Sequence, residues 1–192
     1  MFSLRQLIGR QKPLADCRSG RLVAVIHCIL DQNVRDHGAA SFPAANWAFL
    51  DLCREHRVGM LQMPCPEVQC LGMSRARPAG QSLRDALASL AGRAACQRLA
   101  GETAALMAAH VAHGHRLLAV IGGNMQSPGC AVHAEASGLG ESSGVFMLEL
   151  VDELLRRDLA VPFMPLRDAD PQLLAEDMRR IAALFSEGIG GN

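Results

Sequence analysis

Four short apolar runs, each followed by a segment of helical period, constrain this chain more than any other feature. They are "RLVAVIHC" (21–28), "RVGMLQM" (57–63), "HRLLAVIGG" (115–123) and "AVPFMPL" (160–166). A strand with one wet face alternates apolar and polar residues. A strand buried on both faces reads as a continuous apolar run, as these do. Between and after them lie helical patterns. "ANWAFLDLCREH" (45–56) places Trp47, Leu50 and Cys53 at helical spacing. "SLRDALASLAG" (82–92) and "ACQRLAGETAALMAAHVAHG" (95–114) are rich in Ala and Leu, with Gly near their ends. "VFMLELVDELLRRD" (145–158) is amphipathic, and "PQLLAEDMRRIAALF" (171–185) carries Pro171, suited to a first helical turn. Strands alternating with helices predict an α/β fold: a mostly parallel sheet of four or more strands with helices on both faces, a Rossmann-like three-layer arrangement. Residues 1–20 read as a short helix and a turn. With no internal repeat and no linker-like stretch, the 192 residues read as one domain whose core runs from about 21 to 187.

The charge balance narrows the function. Nineteen basic and 19 acidic side chains cancel, so no global field draws the protein to nucleic acid. Tyr is absent, which removes any tyrosyl acid. No apolar run approaches ~18 residues, so no membrane partner is expected. The opening "MFSLRQLIGRQKP" has Arg5 and Arg10 inside any would-be apolar segment and is not a secretory signal. Seven cysteines at irregular spacing do not suggest a disulfide framework. A reducing, cytoplasmic setting is expected, where cysteines serve as metal ligands, catalytic groups or plain core.

The positions of three cysteines stand out. Cys28 closes the first apolar run and Cys65 lies two residues past the second. Cys130 sits in the long Gly-rich loop "NMQSPGCAVHAEASGLGESSG" (124–144), which follows the third. A loop of that length inside a compact domain tends to be functional. In a parallel sheet the carboxyl ends of all strands share one edge, and ligands bind there. Three thiols with 36 and 64 residues between them are thus expected to converge on one crevice. Cys17, Cys53, Cys70 and Cys96 read as ordinary core residues. The trio suits zinc, with His27 or His133 as a fourth ligand, and equally an iron–sulfur cluster. Spacing leaves both open, because the close C-x-x-C pairs of zinc ribbons and the tight triplet of radical enzymes are both absent.

The stretch "LQMPCPEVQCLGMSR" (61–75) adds a carboxylate to the second thiol. Its Cys65-Pro66-Glu67-Val68 and Leu71-Gly72, together with Ser127-Pro128-Gly129-Cys130 after a buried run, resemble the thiouracil desulfidase family. "HCILDQN" (27–33) is similar to that family's first cysteine motif, most closely in its TudS-related branch, where a histidine precedes the cysteine. The resemblance spans about residues 21–166. It implies a [4Fe–4S] cluster held by Cys28, Cys65 and Cys130, and removal of sulfur from a thiolated pyrimidine, with Glu67 as acid/base. It also implicates a serine of the last motif. The family's usual pattern there is Ser-Pro-Ser-Cys, and this chain carries Gly129 at the second serine and keeps Ser127. The loop after Cys130 also differs from the family's.

On this reading Glu67 takes the proton of a water adding to a thiocarbonyl carbon, and Pro64 and Pro66 stiffen the turn that carries it. Ser127 orients substrate or water, or simply caps its turn. Asp31 and Asn33 read as turn formers, His27 as a satisfied buried histidine, and His133 as a residue behind the thiols. Arg75 and Arg77 read as a solvated surface pair. His110, His113 and His115 sit at a helix end, where cations suit the dipole. The expected substrate is a thiolated base or nucleoside, with tRNA left open. Two alternatives use the same cysteines: a zinc-binding protein and a non-catalytic carrier of sulfide or cluster.

Overall fold

The computed structural model describes residues 16–136 and 138–187. Its centre is a four-stranded sheet in the order β2-β1-β3-β6, parallel throughout. The strands are β1 (Arg21–Ile26), β2 (Gly59–Met63), β3 (Arg116–Ile121) and β6 (Phe163–Met164). The expected α/β class is present. So is the reason for the continuous apolar runs: in β1 Leu22 to Ile26 are all buried, and in β3 Leu117 to Ile121 are as well.

The helices are α1 (His27–Leu30), α2 (Trp47–Glu55), α3 (Pro66–Leu71), α4 (Leu83–Ala88), α5 (Leu90–Ala112), α6 (Val145–Leu155) and α7 (Pro171–Ser186). From β1 the chain steps to β2 on one side, then crosses back to β3 on the other. Right-handed crossovers therefore put α2 on one face and α5 on the opposite one. α6 packs along α5. α7 lies with α2, where the His56 ring meets Phe185 edge-on at 5.8 Å. Among the described residues no helix is long and apolar enough to cross a membrane.

Several elements differ from the sequence reading, each for a local reason. β1 ends at Ile26, and His27 and Cys28 open a single helical turn closed by Asp31 N–H donating to the His27 carbonyl at 3.0 Å. Its ladder to β2 stops because Met63 is followed by Pro64, which has no N–H to give. The turn expected at Pro64 and Pro66 opens a short helix, α3, with Pro66 at its first position, where a missing N–H costs nothing. β6 is two residues long because Pro162 and Pro165 flank it. The loop 124–144 holds a small hairpin, β4 (Ala134–Glu135) with β5 (Gly138–Leu139). In α2 the buried residues are Phe49 and Cys53, while Trp47 is 60% exposed. Residues 1–15 of the helix-and-turn expected at 1–20 lie outside the described residues, and Cys17, read as core, is exposed.

The core is continuous between sheet and helices, with Phe49, Phe146 and Phe185 fully buried. Phe146 stands in the first turn of α6, immediately after the loop that carries Cys130. Phe146→Ala is expected to lower unfolding free energy by about 3–5 kcal/mol, read from the urea midpoint at unchanged m-value.

Candidate thiol site at the carboxyl edge of the sheet

The strand order reverses between β1 and β3, and outside the carboxyl ends at such a switch point is where parallel sheets bind their ligands. The segments bearing Cys28, Cys65 and Cys130 all leave from this edge. Cys28 lies in the single turn of α1, Cys65 is the residue capping α3, and Cys130 follows the turn Ser127–Gly129. That turn is tied back to the sheet by Gly123 N–H donating to the Cys130 carbonyl at 2.8 Å.

The three thiols are close enough to feel one another's charge. Burial pushes the Cys130 thiol well up, and thiolates at Cys28 and Cys65 and the Glu67 carboxylate would each push it further. Burial raises Cys28 to about 11, against the opposing pull of the Arg35 guanidinium. Burial raises Cys65 too, opposed by the N–H of Val68 in the first turn of α3 and by Arg75. All three are thus protonated near neutral pH, and a metal that replaces those protons would relieve the cost of ionising them in a dry site. Among the described residues no group of three or more His, Cys, Asp or Glu is gathered to hold a single metal ion. A cubane cluster asks for a different spacing, since each thiolate reaches a different iron. Three buried thiols that influence one another's ionisation are the type of donor such a cluster takes.

Glu67 belongs to this neighbourhood. It lies in the first turn of α3, and its side chain is largely buried. Arg75 Nε donates to Glu67 Oε2 at 3.4 Å. Arg75, read from sequence as a solvated surface residue, is only 3% exposed. Its guanidinium also donates to the carbonyls of Met73, at 2.8 Å, and Val34. It therefore ties α3 to the turn that follows Cys28. Arg77 is exposed and donates to backbone carbonyls.

A second buried cation went unread in the sequence. Arg35 Nη2 donates to both carboxylate oxygens of Asp168 at 2.7 Å and lies 3.6 Å from Cys28 Sγ. Asp168, 4% exposed, also accepts from Asn124 Nδ2 at 2.9 Å and from Gln32 Nε2 at 3.5 Å. Gln32 Nε2 in turn donates to the Cys28 carbonyl at 2.7 Å. One carboxylate thus joins the segments after β1, β3 and β6, across as many as 136 positions of sequence. No local pattern announces such a pair; the only signal was an acidic residue just past a strand at the ligand-binding edge.

The remaining candidates are placed as follows. Ser127 is half-buried, its hydroxyl directed at the Cys130 thiol, whose thiolate it favours. His27 is half-buried and pairs through Nδ1 with Gln62 at 3.2 Å, while the His133 ring pairs through Nε2 with the Met125 carbonyl at 2.9 Å. Asp31 accepts from the Asn33 N–H at 3.0 Å and from its side chain at 2.7 Å, and both residues serve the turn. His110 and His115 share a hydrogen bond at 2.9 Å near the start of β3, at the opposite edge of the sheet from the thiols.

Gly129 explains its own departure from the serine pattern. A Cβ there would lie 2.4 Å from Cγ of Pro66, and that rigid ring, the first residue of α3, cannot step aside alone. The Cys130 turn and the Cys65 helix are in contact through this glycine. At Gly123 an added Cβ would reach within 3.0 Å of Cys130 Sγ and 3.3 Å of Ser127 Oγ, so the space beside that thiol is kept open by a missing side chain.

The geometry defines a class: a parallel α/β protein with a thiol-and-carboxylate site at the carboxyl edge of its sheet. Comparison adds no closer identification, since no family model, no curated protein and no solved structure matches the chain.

Gly129→Ser is expected to destabilise the protein by about 1–3 kcal/mol through overpacking against Pro66. A paired Pro66→Ala, Gly129→Ser variant should lose less than the sum of the two single changes, measured by thermal unfolding.

Proposed function

We propose that this chain is an iron–sulfur-dependent desulfidase that removes sulfur from a thiolated pyrimidine base or nucleoside. The observation that carries the reading is the meeting of Cys28, Cys65 and Cys130 at the switch point of the sheet, with Glu67 in the same electrostatic neighbourhood. The motif resemblance supplies the reaction class, and the donor set is consistent with it. A [4Fe–4S] cluster held by three thiolates would keep one iron open and supply a Lewis acid suited to a soft sulfur atom.

The residues of the chain account for the rest. The reaction exchanges C=S for C=O: water adds to the thiocarbonyl carbon, and sulfide leaves. Arg75 holds Glu67 by Oε2, and Oε1, with no hydrogen-bond partner among the described residues, would accept the proton of the adding water. Once protonated, the same carboxyl can return that proton as the C–S bond breaks. Ser127, whose O–H serves the Cys130 sulfur, keeps oxygen lone pairs with which it would accept a hydrogen bond from the base or the water. Arg35 sets a fixed positive charge against Cys28, and Asp168 fixes Arg35, so part of the cost that burial puts on ionising Cys28 is offset. Burial around the thiols keeps bulk water from competing at the site.

Protein reconstituted without oxygen is expected to hold about four irons and four sulfides per chain and to absorb broadly near ~400 nm. Cys28→Ser, Cys65→Ser and Cys130→Ser should each lose most of that absorbance, whereas Cys53→Ser should keep it. Stoichiometric zinc without iron in active protein would overturn the cluster. Offering 2-thiouracil, its nucleoside and thiolated tRNA side by side ranks the substrates.

Glu67→Gln separates chemistry from assembly. Gln preserves the shape and can still accept from Arg75, but it takes no proton. The variant should keep its iron and its fold while turnover falls about 10²–10⁴-fold. A fully loaded variant with an unchanged rate would remove Glu67 from the mechanism.

A further inference from the structure

A second pair of thiols lies outside the site described above. Cys70, in the last turn of α3, and Cys96, in the first half of α5, lie on helices that pack together, with the two sulfurs within hydrogen-bonding reach of each other. Cys96 is fully buried, and Cys70 is half-buried. Cys70 also lines an open cavity of about 180 Å³ shared with Arg77, Gln81, Ser89, Gly92 and Ala95. A cavity of that size admits molecules well above the size of water. One thiol of the pair is thus reachable from solvent, and the other lies directly behind it.

The electrostatics of the two sulfurs are opposite. The hydrogen bond from Cys96 favours the Cys70 thiolate and outweighs its burial, and Arg98 adds to the effect. The same shared proton, together with burial, holds Cys96 in its protonated form. A reachable, thiolate-favouring sulfur in front of a buried protonated one is the arrangement of an attacked cysteine and its resolving partner.

We propose that Cys70 and Cys96 form a two-electron oxidation site for small hydroperoxides, closing into a disulfide that clamps α3 onto α5. In the first step the Cys70 thiolate attacks the peroxide oxygen, the O–O bond breaks, and Cys70 becomes a sulfenic acid while hydroxide leaves. In the second step Cys96 sulfur attacks Cys70 sulfur, the S–O bond breaks, and the hydroxyl departs as water with the Cys96 proton. Two thiols lose two electrons between them, and one hydroperoxide is reduced, hydrogen peroxide giving two waters. The inference is independent of the desulfidase reading. Its structural effect nonetheless reaches that site, because α3 is the helix capped by Cys65 and carries Glu67 in its first turn.

The test is peptide mapping of the full chain after brief treatment with stoichiometric hydrogen peroxide at pH 7 and quenching of free thiols. A Cys70–Cys96 linked peptide that a dithiol reductant removes is the expected product. Mapping also distinguishes it from any link through Cys28, Cys65 or Cys130. Before oxidation, Cys70 should alkylate about tenfold faster than the exposed Cys17 at this pH. Cys96→Ser should trap Cys70 as a sulfenic acid that a dimedone probe labels, and Cys70→Ser should leave Cys96 unoxidised. Labelling of Cys70 no faster than Cys17, or peroxide-treated wild type without the 70–96 link, would overturn the proposal.

Discussion

The parallel pairing of β1 with a neighbour on each side is the constraint on which the rest of this structure depends. Leu22 to Ile26 pair with Gly59 to Met63 on one flank, and the same strand pairs with Arg116 to Ile121 on the other. Because the pairings are parallel, all three chains leave the sheet at the same edge. Because the crossovers run to opposite sides of β1, the exits part there at a switch point. Three cysteines that are distant in sequence become neighbours for that reason alone.

Holding them there is costly in charge, and the surrounding residues answer that cost. Two arginines are buried near the thiols, each with a carboxylate: Arg35 with Asp168, and Arg75 with Glu67. A buried ion pair is weak evidence for stability, since desolvation offsets much of the attraction. Its use here is positional. Asp168 joins three segments at the sheet edge, and Arg75 joins α3 to the turn after Cys28. The loops are therefore fixed by polar contacts at their tips as well as by the apolar core beneath them. Gly129 against Pro66 completes the enclosure by steric contact.

α3 has a distinctive place in this arrangement. It is six residues long, yet it presents Cys65 at its cap, Glu67 in its first turn and Cys70 in its last. One end faces the sheet edge, and the other packs on α5 beside the second thiol pair. A short helix with few core contacts of its own is readily shifted by whatever holds its ends. Chemistry at one end of α3 is thereby mechanically close to the state of the other.

The strand runs of Val, Ile and Leu, the helical periods between them and the places of Cys28 at the end of the first run, Cys65 just past the second and Cys130 in the loop after the third were all legible in the chain, because burial on both faces and backbone periodicity are local properties. The α/β class followed from them. What happened within a few residues of each strand end was not legible. Cys28 turned out to lie in a helical turn and Cys65 to cap a helix, because the choice between continuing a strand and turning depends on whether a neighbour offers hydrogen bonds, and Pro64 withdraws them. Arg75 read as a surface residue, and Arg35 and Asp168 carried no signal, since a charged side chain is buried only when a partner far away in sequence meets it. Cys70 and Cys96 likewise read as separate core residues until the packing of α3 on α5 made them a pair. The sequence by itself determined which segments become buried strands and, through their parallel run, that the cysteines after them lie toward one edge; tertiary structure alone decided the strand order and which charges and thiols meet, because those contacts exist only once the layers have closed.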